Sequence, residues 1–177
     1  LKNKYKLKSI ESHLWKFLRI RPANFPTIRI SQFAQLVHKS SHLFSKIIES
    51  KSIKDIMHMF DLQASEYWQT HYIFGKISKK SIKKFGKNAS ENIIINTVIP
   101  ILFLYGKEKA NNEIQEKAFN FLEQLKAEKN KITNKWEDVG LEVKNAYFSQ
   151  SLIQLYNEYC LKKRCLECRI GNKYIKN

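Results

Sequence analysis

The sequence predicts a single compact, all-α domain that covers residues 1–177. Five Gly and three Pro leave little of the chain for turns, and a hydrophobic content of 43% is ordinary for a globular protein. Apolar residues recur at helical spacing along most of the chain, without a linker or an internal repeat. Together these features predict several helices around one core, with a central apolar helix at about residues 89–106.

The first predicted elements are a helix, a proline break and a second helix. Residues 1–18 carry apolar side chains at helical spacing, namely Leu7, Ile10, Leu14 and Phe17. Pro22 and Pro26 fix their own φ and end that helix. Thr27 then predicts the N-cap of a helix that runs to about Lys39, with an inward face formed by Ile30, Phe33, Ala34 and Val37.

Short helices and an ambiguous segment follow. Residues 43–50 keep the helical pattern, and Ser52 with Asp55 has the spacing of a capping box. The helix after it should bury Ile53, Ile56, Met57 and Phe60. The pattern of the aromatic-rich residues 66–76 is ambiguous and does not exclude a short strand. The lysine-rich residues 76–87 predict a short helix that ends at Gly86.

The remaining chain predicts the core helices. Asn88 and Glu91 predict the start of the central helix, which is apolar on most faces and which Pro100 should kink. An amphipathic helix is expected at residues 110–126, a short one at 133–139 that Gly140 ends, and a last one at 142–162. The last helix should bury a stripe formed by Phe148, Leu152, Leu155 and Tyr159.

The formal net charge of +16 is concentrated in the first half of the chain. Residues 1–90 hold 18 Lys and Arg against five acidic residues, and residues 91–177 hold 14 against 11. This asymmetry favours DNA or RNA as a partner, and a solvated basic surface is the alternative. The candidate phosphate contacts are Lys76, Lys79, Lys80, Lys83, Lys84 and Lys87. Aromatic residues around His71 suit base stacking or, alternatively, the core.

The five arginines lie only near the proline break and near the cysteines, at Arg19, Arg21, Arg29, Arg164 and Arg169. A chain that uses Lys so freely should place Arg where a planar, bidentate donor is needed. One interpretation is an anion or phosphate site built from both ends of the chain. The other is a set of buried ion pairs that join the two ends.

All three cysteines, Cys160, Cys165 and Cys168, fall within nine residues at C-x4-C-x2-C spacing. This spacing suits part of a zinc site or an iron–sulfur cluster, but one ligand is missing and would have to come from a histidine. Nearby cations are expected to lower the thiol pKa. The alternative is three free thiols without a cofactor. The odd cysteine count argues against a disulfide framework and favours a cytoplasmic protein.

Other function classes have little support in the sequence. The most apolar run, residues 93–105, is too short to span a bilayer, so no membrane association is expected. No paired carboxylates, Gly-rich phosphate loop or nucleophile elbow are present, so no catalytic residue is predicted.

Several ordered segments resemble one bacterial family, the domain-of-unknown-function family 2851. They are Arg21–Gln32, Tyr67–Gly75, Ile95–Gly106, Ser149–Tyr156 and Tyr159–Gly171, so the likeness runs from about Trp15 onward. The resemblance implies a protein about twice as long, of which this chain is the C-terminal half. It also implies that the other half, a candidate partner of this chain, is similar to a restriction-endonuclease-type nuclease core.

The leading hypothesis is therefore an accessory, basic helical domain that associates with nucleic acid. The alternatives are a structural or protein-interaction domain without a ligand, and a cysteine-based metal site.

Overall fold

The computed structural model describes residues 2–175, and the predicted all-α class is confirmed. The helices are α1 (Pro26–Lys39), α2 (Leu43–Glu49), α3 (Ile53–Met59), α4 (Lys87–Ile93), α5 (Ile99–Glu108), α6 (Asn112–Gln124), α7 (Lys131–Asp138), α8 (Ala146–Leu155) and α9 (Arg169–Ile175). A two-stranded antiparallel sheet is formed by β1 (His71–Ile73) and β2 (Lys76–Ile77). The contacts define two compact units: unit 1 is Leu1–Ser45 with Met57–Ser90, and unit 2 is Lys46–Ile56 with Glu91–Asn177.

The predicted helix over residues 1–18 is wrong. This segment forms turns and one 3₁₀ turn, Ser12–Leu14, and Leu7, Ile10 and Leu14 are exposed. A short helix in water needs an apolar face that packs on a neighbouring element. These three side chains have no such packing partner in the described part of unit 1. Lys2, Lys4, Lys6 and Lys8 also repel one another at the i, i+4 positions of a helix.

Helix α1 buries a different face from the predicted one. The buried residues are Thr27, Ile28, Ser31, Gln32 and Leu36, whereas Phe33 is 63% exposed and Ile30 and Val37 are also exposed. The polar members of the buried face have partners: Ser31 Oγ accepts a hydrogen bond from the Ser65 amide, and Gln32 Nε2 donates to the Lys83 carbonyl. These bonds offset the cost of burying polar groups in place of apolar ones.

The start of α1 also differs from the prediction by two positions, because the N-cap is Phe25 and not Thr27. Pro26 lies in the first turn, where its missing N–H costs nothing. Thr27 does not cap the helix; its hydroxyl donates instead to the Tyr72 carbonyl over 2.6 Å. The bond joins α1 to β1 inside unit 1. Ile28, Ala64 and Trp68 form a buried cluster on this side of α1, with Phe25 and Tyr72 packed against it.

The lysine-rich segment after the sheet is extended, so the predicted short helix that ends at Gly86 is wrong. Lys84 forms an isolated antiparallel bridge with Gln63. The Ala64 amide donates to the Lys83 carbonyl, and the Phe85 amide donates to the Leu62 carbonyl. Residues 66–76, whose sequence pattern is ambiguous, contain the short strand β1, and Gly75 adopts φ +69° in the turn to β2.

The predicted central helix is confirmed and is continuous from Lys87 to Glu108. A π-helical segment, Ile94–Val98, lies between α4 and α5, and Ile99 alone separates it from Pro100. Pro100 cannot donate a backbone hydrogen bond, and a π-helical turn is a common way to accommodate such a break in a helix. The buried apolar side chains in this stretch are Ile94, Ile95, Val98, Ile99 and Leu102.

By length and composition alone, the helix Lys87–Glu108 could also cross a membrane, because at 22 residues it is longer than the apolar run in the sequence. The buried core helix of a soluble protein passes the same test, and five of its apolar side chains are buried in the fold. The helix is therefore weak evidence for membrane insertion.

The later helices of unit 2 begin at asparagine caps. Asn111, Asn130 and Asn145 accept hydrogen bonds from the first turns of α6, α7 and α8. Gly140, at φ +89°, follows α7 as predicted. The last long helix begins at Ala146 rather than at residue 142, and its π-helical end is Tyr156–Cys160. Phe148, expected to be buried, is exposed.

Replacing Asn130 by Ala should lower the free energy of unfolding by about 1 kcal/mol, because Asn130 and Thr133 form a reciprocal capping box at α7. Denaturant unfolding measures the change. Asn134→Ala is the matched control, since Asn134 is exposed on the same helix. Equal losses for the two variants would contradict a role for the cap.

Candidate functional site

Four of the predicted phosphate contacts lie exposed on one short stretch of unit 1. Lys76 belongs to β2, and Lys79, Lys80 and Lys84 follow it on the extended segment. No acidic residue occurs between residues 76 and 87. Lys87 is also exposed, at the start of α4, and it takes part in another interaction. The segment therefore presents a row of ammonium groups with no carboxylate in its own sequence.

Lys83 differs from its neighbours because it is buried, with 6% of its surface exposed. Its Nζ donates to the Gln69 carbonyl over 2.9 Å and to Ser81 Oγ over 2.7 Å. The same ammonium lies 4.1 Å from the centre of the Tyr72 ring. These contacts replace water around the charge and leave Lys83 unable to reach a phosphate. Lys83 is thus an anchor of the segment, contrary to its predicted role.

Arg29 is likewise engaged within unit 1. Its Nη1 donates to Gln32 Oε1 over 3.1 Å and its Nη2 to Asn24 Oδ1 over 2.5 Å. The guanidinium carbon lies 4.9 Å from the centre of the Phe85 ring. Burial lowers the pKa of the Arg29 guanidinium, which nonetheless stays charged near neutral pH. Arg29 thus holds the lysine segment and the proline loop against α1.

The other arginines are exposed. Arg19 and Arg21 make no side-chain hydrogen bond or ion pair with the described residues, so their guanidinium groups are open to a ligand. In unit 2, Arg164 pairs with Glu167 three residues on, and this pair raises the pKa of Arg164 and lowers that of Glu167. Arg169 begins α9. The two groups of arginines belong to different units, and an anion site built from both remains a prediction.

An aromatic pocket of about 260 Å³ opens beside α1 in unit 1. Its residues are Trp15, Thr27, Ile30, Ser31, Ala34, Gln35, Ser65, Trp68 and Phe74. Trp68 is buried and Phe74 is 71% exposed, with their ring centres 4.9 Å apart in an edge-on arrangement. Two of the pocket residues, Trp68 and Phe74, belong to the aromatic-rich residues 66–76 that stand out in the sequence. Of the α1 wall, Ile30 and Ala34 were predicted to face inward, whereas Ser31 and Gln35 were not, and no role was predicted for Trp15.

The three thiols line one apolar pocket of about 160 Å³ in unit 2, together with Trp136, Leu155, Tyr159, Ile170 and Gly171. Gly171 lies so close to the backbone of Cys165 that a Cβ there would be 2.5 Å from the Cys165 carbonyl oxygen. Only glycine therefore allows α9 to pack on the turn that carries Cys165. Cys168 is buried, whereas Cys160 and Cys165 are exposed.

No complete metal site accompanies the thiols. Among residues 2–175, no group of three or more His, Cys, Asp or Glu side chains has an arrangement that could hold a metal ion. The expectation that neighbouring cations lower the thiol pKa is wrong for Cys160. Although Cys160 is exposed as a residue, partial burial of its thiol raises the pKa of that thiol, and the other two thiols raise it further.

Alkylation of Cys160 should therefore require a higher pH than that of an ordinary cysteine. The reactive form is the thiolate, and a raised pKa lowers its fraction at neutral pH. Iodoacetamide labelling between about pH 7 and 10, read for each cysteine by mass spectrometry, measures this profile. The Cys165→Ser, Cys168→Ser double variant should move the Cys160 midpoint to lower pH. A Cys160 midpoint below the ordinary cysteine value would contradict the structure.

Comparison with known proteins identifies the family and nothing more specific. The family described as "Protein of unknown function (DUF2851)" matches residues 1–131, which includes all of unit 1 and ends before the three cysteines. No curated protein and no solved structure matches the chain. Because the match covers well over half of its residues, the chain belongs to the DUF2851 family.

Proposed function

We propose that unit 1 binds nucleic acid through the phosphate backbone. The observation that carries the proposal is the row of exposed lysines on the acid-free segment, namely Lys76, Lys79, Lys80 and Lys84. Unit 1 as a whole has 15 Lys and Arg against three acidic residues, a balance of +12. Unit 2 has 17 against 13, a balance of +4. The positive potential therefore lies mainly on unit 1, as a surface for polyanions requires.

The way in which the segment is held supports this function. The Lys83 carbonyl accepts from the Ala64 amide and from Gln32 Nε2, and the Lys83 ammonium is bonded in the interior. The backbone of the segment is thereby fixed while its other lysines stay in solvent. Lysines on a fixed backbone lose less conformational freedom on binding than lysines on a mobile loop. Arg19 and Arg21 supply bidentate donors for phosphate in the same unit.

A protein-interaction function is the second candidate. The face of α1 that carries Phe33 and Val37 is apolar and exposed, and unit 1 contains no described element packed on it. A protein partner on this face would not depend on the lysine segment. Binding that survives neutralisation of the lysines would favour it over the first candidate.

The triple variant Lys79→Gln, Lys80→Gln, Lys84→Gln should weaken binding to every oligonucleotide and flatten its salt dependence. Each lost phosphate contact should lower the magnitude of the negative slope of log K against log salt by about 1. The slope of the triple variant should therefore be shallower by about 3. Fluorescence anisotropy with labelled mixed-sequence oligonucleotides between about 50 and 200 mM salt gives the slope.

The matched control neutralises three exposed lysines of unit 2, in the variant Lys107→Gln, Lys109→Gln, Lys126→Gln. It has the same net charge as the test variant and should keep the slope of the unmodified protein. If both triple variants lose the same slope, or if the unmodified protein shows no salt-dependent binding, the proposal fails.

A further inference from the structure

We propose that the aromatic pocket of unit 1 takes an unpaired nucleobase, so that this unit prefers single-stranded nucleic acid to duplex. The inference rests on the proposed function and adds the class of nucleic acid. Its starting point is the group of three rings at one pocket, Trp15, Trp68 and Phe74. Nucleobases stack on such rings whatever their sequence, because every base has a π-face.

Contacts with neighbouring residues hold Trp68 and Phe74 in place, so that the rings stay at the pocket and a base can stack there. Trp68 is buried, and Tyr67 contacts it edge-on with ring centres 5.1 Å apart. Phe74 lies in the turn between β1 and β2, where the Gly75 amide donates to the Tyr67 hydroxyl. The turn is therefore tied to the aromatic cluster, and it holds Phe74 at the pocket while most of that ring remains in solvent.

The size and lining of the pocket define what it accepts. A volume of about 260 Å³ lies just below the roughly 300–1,000 Å³ typical of pockets for drug-sized ligands. One flat heterocycle suits such a space better than a larger molecule. No charged side chain of the described residues lines the pocket, so a phosphate is a poor occupant and a neutral base is a good one.

Polar groups at the pocket can bond the edge of a base. Gln35 is half-buried, and its side-chain amide makes no hydrogen bond with the described residues. A primary amide offers a donor pair and an acceptor, which suits the edge of any base. Ser31 accepts from the Ser65 amide and keeps its own hydroxyl proton to donate. The Thr27 hydroxyl is already used by the Tyr72 carbonyl.

One exposed lysine of the segment lies close enough to the pocket to hold the backbone of the same strand. Lys76 follows Phe74 by two residues, so their Cα atoms are at most about 7 Å apart. A base in the pocket would leave its phosphate near Lys76, from which the segment with the other exposed lysines continues. In a duplex the bases are stacked and paired, and extracting one costs free energy that an unpaired base does not require. The aromatic pocket and the exposed lysines together therefore favour single strands over duplex.

The test compares Phe74→Ala with Ile77→Ala, using a labelled 12-nucleotide single strand and the corresponding 12-base-pair duplex. Ile77 is the matched control, since it is 80% exposed on β2 and does not line the pocket. The unmodified protein should bind the single strand more tightly. Phe74→Ala should weaken single-strand binding about tenfold, with little change in duplex binding or in the salt slope. Ile77→Ala should change neither.

A second variant, Gln35→Ala, keeps the rings and removes the unbonded amide, and it should also weaken the single strand selectively. Circular dichroism and thermal unfolding establish that each variant is folded. Equal affinity of the unmodified protein for both forms, or equal losses for both forms in Phe74→Ala, would overturn the inference and leave the phosphate proposal intact. Absence of salt-dependent binding to either form would overturn the proposed function itself.

Discussion

The structure of unit 1 depends on the polar bonds that fix Lys83. Its carbonyl receives the side-chain amide of Gln32 from α1 and the backbone amide of Ala64. Its ammonium donates to the Gln69 carbonyl, next to β1, and lies over the Tyr72 ring. One residue thereby connects the helix, the strand and the lysine segment. A buried charge is costly, and it is retained only where such partners replace water.

This constraint explains why one part of unit 1 carries both candidate features. The bonds at Lys83 direct its ammonium inward and leave Lys79, Lys80 and Lys84 in solvent. The same packing of α1 on β1 and the aromatic segment forms the wall of the pocket at Trp68. The exposed lysines of the proposed phosphate surface and the aromatic pocket are thus consequences of one set of contacts. The thiol pocket of unit 2 is a separate feature, outside the residues that match the family.

The sequence predicted what depends on local pattern and missed what depends on distant partners. The central helix followed from its continuous apolar composition, and the Ser52–Asp55 capping box was confirmed because caps are local. The buried face of α1 was missed because Gln32 reads as a surface residue until its partner 51 positions away is known. Lys83 cannot be distinguished from Lys79 or Lys84 by sequence, since burial of its ammonium depends on Gln69 and Tyr72. The cysteine cluster was recognised, but the apolar pocket beside it includes Trp136 and Leu155, which lie outside the cysteine motif.

The most direct measurement is the reactivity of individual lysines towards an amine-acylating reagent, read by peptide mass spectrometry with and without a single-stranded oligonucleotide. Lys83 should resist modification in the folded protein, while Lys79, Lys80 and Lys84 should react readily and become protected when the oligonucleotide is bound. Exposed lysines of unit 2, such as Lys107 and Lys126, should react equally in both conditions. Rapid modification of Lys83 in the folded protein would contradict the buried anchor, and unchanged reactivity of the other three would contradict the interface.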